Sequence, residues 1–208
     1  MDFIPQTMLF LGIIPALILL YITLKDYEGM YKDKTMFLMF IIGIITGVLA
    51  IILEYITIVV GVIALLLFPI LEQMFKTIVL NMPRFHKKPE TAIYGLSIGL
   101  GFGSVFTPYY VIISSLNDGN IDMLILALIA SIGIILLHGA TGVLIGYGVY
   151  SSKLTKYFIF SVLLYVPIPL TSAVQYSSIG IIPYGLIVYW YVTTKIMPDI
   201  KSKKRRKK

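Results

Sequence analysis

About seven apolar runs, each near the roughly 20 residues that cross a hydrocarbon core, succeed one another along this chain with polar punctuation between them. They lie at about Phe3–Leu24, Met36–Leu53, Ile58–Met82, Ala92–Leu116, Met123–Tyr150, Tyr157–Gln175 and Ile179–Met197. With 58% hydrophobic residues, 13% charged residues and a mean hydropathy of +0.93, the chain has too little polar surface to coat a water-soluble globule. The expected fold is all-α: a polytopic membrane helix bundle of about seven transmembrane helices.

Loop charge suggests how such a bundle sits in the membrane. The connections after the first, third and fifth runs carry Lys25, Lys32 and Lys34, then Arg84, Lys87 and Lys88, then Lys153 and Lys156, and Lys195 with a dense basic stretch follows the seventh. The connections around Glu54–Thr57, Asn117–Asp122 and Gln175–Ser178 contain no Lys or Arg. By the positive-inside rule the N-terminus is outside and the C-terminus cytoplasmic, in a multi-pass protein of a prokaryotic-type plasma membrane. The first run has neither a positive n-region nor a small-x-small cleavage site before Lys25, so it is expected to be a retained span. Residues 1–200 then form one transmembrane helical domain and 201–208 a basic cytoplasmic tail. Such a tail attracts anionic lipid and offers cations to ribosomal RNA.

Without cysteine, no thiolate metal site, disulfide or cysteine nucleophile is available. Carboxylate, histidine, hydroxyl and amide chemistry remains. On this reading of the spans, Glu72 is the one acid and Lys76 the one base well inside a run, and ionisable groups at bilayer depth usually pair, line a cavity or carry function. Four residues apart, they share a helix face. They suit a buried ion pair, a lysine snorkelling to the headgroups, or a general base for water that Lys76 biases toward ionisation.

Counted at 1.5 Å per residue from the cytoplasmic ends, Glu72 lies about 15 Å deep, His138 about 18 Å and Thr171 about 21 Å, so these groups share one layer. Pro69 precedes Glu72, and Pro167 and Pro169 precede Thr171, where a lost helix hydrogen bond opens polar backbone. Gly95, Gly99 and Gly103 recur every four residues, the small-residue stripe of close helix packing rather than of a phosphate-binding loop.

Several of these stretches resemble the PrsW-type intramembrane protease family, a relative of the CAAX-prenyl protease and bacteriocin-processing superfamily. Ile14-Pro15-Ala16-Leu17 with Tyr21 and Lys25-Asp26-Tyr27 is similar to its first helix and loop, and Gly43 to a glycine of its second helix. Glu72-Gln73-x-x-Lys76 resembles its Glu-Glu-x-x-Lys, Ile93-Tyr94-Gly95 with Gly99-Leu100-Gly101-Phe102-Gly103 its glycine-rich helix, and His138-Gly139-Ala140-Thr141 with Gly146-Tyr147-Gly148 its histidine helix. The resemblance implies a glutamic-type endopeptidase in which Glu72 and His138 activate water against a membrane-associated protein substrate, with Lys76 and Gln73 beside them.

The chain also departs from the family pattern. Gln73 replaces the second Glu, Phe106-Thr107 replaces a Glu-Asn, and Thr171 and Gln175 replace a late His and Asn. Thr107, Thr171 and Gln175 are the expected support for substrate or oxyanion, Gln175 through its amide. The family's label as metalloproteases leaves a metal open, with Glu72 and His138 the strong candidate ligands, fewer than the three usual in a catalytic zinc site, so no cofactor is expected. Two other functions fit the same features: an inactive relative that binds membrane segments as scaffold or chaperone, and a small cation- or proton-coupled transporter, although no inverted repeat is evident.

Overall fold

The computed structural model describes residues 5–57, 62–117, 121–171 and 180–205. Ten α-helices follow in order among them: α1 (Pro5–Leu24), α2 (Asp33–Thr57), α3 (Val62–Leu80), α4 (Glu90–Ser104), α5 (Phe106–Asn117), α6 (Ile121–Tyr150), α7 (Leu154–Tyr165), α8 (Pro167–Thr171), α9 (Ile181–Tyr191) and α10 (Met197–Arg205). The fold is all-α among the described residues. Among the described residues four segments are long and apolar enough to cross a membrane: Phe10–Tyr27, Asp33–Ile56, Glu90–Ile112 and Leu128–Tyr150.

Burial divides these four into two classes. The third and fourth are 83% buried within the protein and the first two 28%, so α4 and α6 form the centre and α1 and α2 its lipid-facing flank. On the flank, Ile14, Ile18 and Ile22 of α1 and Ile41, Ile45 and Leu49 of α2 are exposed at helical spacing, as a lipid solvent requires.

Glycine makes the centre possible. Between membrane helices, lipid supplies no hydrophobic drive, and close backbone approach through small residues takes its place. A Cβ at Gly95 would collide with the Gly142 carbonyl, one at Gly99 with the His138 carbonyl, and one at Gly103 would stand 2.8 Å from the Ile135 Cα. The other side of α4 meets α2 in the same manner, with Gly43 against the Ile98 carbonyl and Gly101 against the Phe40 carbonyl. The glycine stripe is therefore a packing device, and it draws α6 against α4 at the level of His138.

Several expected boundaries are corrected. The run read as Ala92–Leu116 is two helices that part at Val105, where Pro108 has no N–H for the Ser104 carbonyl. Likewise the run from Tyr157 divides at Val166, before Pro167, between α7 and α8. Within the seventh, a π-helical turn at Val192–Ile196 precedes Pro198, and the Thr193 and Thr194 hydroxyls donate to the carbonyls of Tyr189 and Trp190. Finally α2 continues to Thr57, so Glu54 belongs to a helix and not to a connection.

The basic connections gather at one end of the bundle. There the Lys32 N–H donates to the Tyr94 hydroxyl, Thr91 to the Phe85 carbonyl, Tyr147 to Asp199 Oδ2 at 2.6 Å, and Lys201 Nζ to the Asp26 carbonyl at 2.8 Å. The start of the basic stretch is thus part of α10 and docked.

Candidate active site

The inward face of α3 carries an acid, an amide and an amine in five residues. Glu72 is 4% exposed and Gln73 and Lys76 are fully buried, whereas Ile70, Met74 and Ile78 on the opposite face are exposed. Pro69 lies inside this helix one turn earlier and cannot donate to the Leu65 carbonyl. Lys76 does not snorkel. Its Nζ lies 3.0 Å from His138 Nδ1 and 2.9 Å from Thr141 Oγ1, both on α6, and 5.2 Å from the centre of the Phe102 ring. The described hydrogen bonds of Lys76 thus go to α6, and not to Glu72 as a simple ion pair would have them.

His138 sits in a box of rings. Phe102 of α4 lies 4.7 Å from it between ring centres, Phe106 of α5 5.2 Å and Tyr165 of α7 4.6 Å. The small residues Gly99 and Gly103 leave the space that lets its backbone and ring approach α4. Below the ring, Thr141 donates to the His138 carbonyl at 3.2 Å, and Ser161 of α7 stands 3.4 Å from the Thr141 carbonyl.

Tyr165 joins the two halves of the site. Its hydroxyl hydrogen-bonds the Glu72 carboxylate, and its ring faces His138. Glu72 and His138 therefore share a neighbour. The sequence reading missed Tyr165; its one signal is that it stands just before Pro167, where α7 must end. It also missed Glu54 of α2, whose carboxylate interacts electrostatically with Glu72, Tyr110 and Tyr165.

Buried polar atoms without a hydrogen-bond partner mark what the site lacks. Among the described residues they are Glu72 Oε2, the amide oxygen and nitrogen of Gln73, Thr107 Oγ1 and His138 Nε2. A buried polar atom left unpaired costs about 1–3 kcal/mol, so Glu72 Oε2 and His138 Nε2, which both border Tyr165, are suited to a polar guest. Glu72, Tyr165, His138, Lys76 and Thr141 form a chain of contacts in that order. Gln73 adjoins them on α3 without a described contact, and Thr107 sits against Gly12 of α1. Thr171 ends α8, and Gln175 lies outside the described residues.

This donor set does not fit a catalytic zinc. Three protein ligands are usual, and among the described residues no three His, Cys, Asp or Glu side chains converge on one point. The Lys76 amine on His138 Nδ1 takes up one ring nitrogen.

Comparison with known proteins agrees with the motifs. Neither a curated protein nor a solved structure matches the chain. The sequence model described as PrsW family intramembrane metalloprotease, however, matches residues 33–197, a stretch that runs from α2 to α9 and hence includes every helix contributing to the cluster. The chain belongs to the PrsW family of intramembrane proteases.

Proposed function

We infer that this protein is a glutamic-type intramembrane endopeptidase that hydrolyses a peptide bond of a membrane-associated protein, with Glu72 as the base. The observation that carries the reading is the free, buried Glu72 Oε2 beside an oxygen already held by Tyr165. One oxygen fixes the carboxylate and the other is left for water. Water attacks the peptide carbonyl as Glu72 takes its proton; a C–O bond forms and the carbonyl electrons become an oxyanion. When the intermediate collapses, the C–N bond breaks and Glu72 returns the proton to the leaving nitrogen. No metal enters these steps, and the partner-free amide of Gln73, next to Glu72 on α3, is assigned to the substrate.

Around this chemistry we place seven spans in a prokaryotic-type plasma membrane, N-terminus outside and basic tail at the cytoplasmic headgroups. The clustering of the basic connections with α10 supports that arrangement. Family membership supports a membrane-associated protein as substrate.

The test is a reconstituted preparation offered a library of transmembrane segments in 18O water. Products with one 18O at a new C-terminus are expected from wild type and not from Glu72→Ala. Identical products from both would sink the reading and leave a relative that binds membrane segments without cutting them. Tyr165→Phe, which removes the hydroxyl but keeps the ring on His138, is expected to lower kcat by roughly tenfold with little change in KM, the loss of about one hydrogen bond to a charged group. Steady-state kinetics on one cleaved segment checks this.

A further inference from the structure

Lys76 is surrounded by groups that suit a charged amine. An ammonium has three donors and no acceptor. Its two hydrogen-bond neighbours can both accept: Thr141 Oγ1 at 2.9 Å, whose own proton goes to the His138 carbonyl, and His138 Nδ1 at 3.0 Å. The face of Phe102, 5.2 Å from Nζ, attracts a cation, and Glu72 one turn away on the same helix interacts with it electrostatically. When Nζ donates to Nδ1, that nitrogen offers its lone pair, and a neutral imidazole then carries its proton on Nε2. His138 Nε2 is buried and without a described partner, and the ring cannot swing away between Phe102, Phe106 and Tyr165.

We propose that Lys76 is a positioning residue that holds His138 as its Nε2–H tautomer, making His138 the hydrogen-bond donor to the oxyanion rather than a base or a metal ligand. This rests on Glu72 being the base, since the oxyanion forms only when water attacks. A fixed N–H in a site closed to bulk solvent stabilises developing charge without reorganising. It does for the carbonyl oxygen what a Lewis-acidic metal would do, by means this chain contains.

The chain has two histidines, so 15N-histidine labelling in detergent micelles gives a spectrum that a His86→Gln variant assigns. Wild type is expected to show His138 neutral, with its proton on Nε2 and an unprotonated, hydrogen-bonded Nδ1. Stoichiometric zinc should leave those signals in place. In Lys76→Met the tautomer preference should fade and kcat fall on the order of 100-fold with KM nearly unchanged, and Lys76→Arg, which keeps a donor, should restore the tautomer and part of kcat.

A wild-type proton on Nδ1, a doubly protonated ring, or zinc-dependent movement of the His138 signals would overturn the proposal. So would an unchanged tautomer and kcat in Lys76→Met. The wild-type spectrum decides the matter even where Lys76→Met does not fold. Cleavage that survives Glu72→Gln would remove the general-base reading while leaving the tautomer result standing, so the two failures are distinguishable.

Discussion

Glu72→Gln is expected to lower peptide hydrolysis by at least about 1,000-fold while leaving the bundle folded. Glutamine has the shape of glutamate, and its amide oxygen still accepts the hydrogen bond that Tyr165 gives to Glu72. What it lacks is a lone pair able to take a proton from water. The nearby alternatives do not supply one: Gln73 is an amide, His138 Nδ1 is engaged by Lys76, and Glu54 stands on another helix with Tyr110 and Tyr165 among its neighbours. Initial rates on a cleaved segment, with the midpoint of detergent unfolding measured alongside, separate lost chemistry from lost structure. A rate within tenfold of wild type at unchanged stability would show that Glu72 is not the base.

Gly99→Leu is expected to act in the opposite manner, destroying the site by preventing the bundle from closing. Even a Cβ at this position would collide with the His138 carbonyl, which is rigid helix backbone and cannot rotate aside. Overpacking a well-packed interior costs about 1–3 kcal/mol where neighbouring side chains can shift, and the cost here should exceed about 3 kcal/mol because they cannot. The same contact sets the height of His138 against α4, so activity should vanish with stability. Gly180→Ala is the matched control, since nothing lies within 4 Å of a Cβ there, and its unfolding midpoint should not move. An equal, small shift in both variants would contradict a close α4–α6 contact.

Much of this was legible along the chain. Apolar runs of the right length identify a helical membrane protein, because the bilayer rewards no other use of them. The stripe Gly95, Gly99, Gly103 reads as packing from its spacing alone. Glu72 and His138 could be placed at one depth by counting residues, since helix rise is constant. The choice of partners was not legible. Whether Lys76 turns to Glu72, to the headgroups or to α6 depends on the rotation of α3 about its own axis, which weak amphipathicity in lipid leaves open. Tyr165 is one of 15 tyrosines, and nothing local distinguishes it until α7 is packed on α3. Glu54 was hidden because a hydropathy reading ends a span at the first charge, while the helix itself runs on to Thr57. The break at Val105 had its cause in plain view in Pro108, obscured by the continuous apolar composition around it.

Whether the reaction proceeds on side chains alone is measured most directly by the cleavage rate of the reconstituted protein, before and after prolonged exposure to a membrane-permeant zinc chelator, with metal content determined on the same sample. An unchanged rate and metal far below one equivalent per chain are expected, with Glu72→Gln inactive under either condition. A rate that the chelator abolishes and added zinc restores, on wild type, would contradict it.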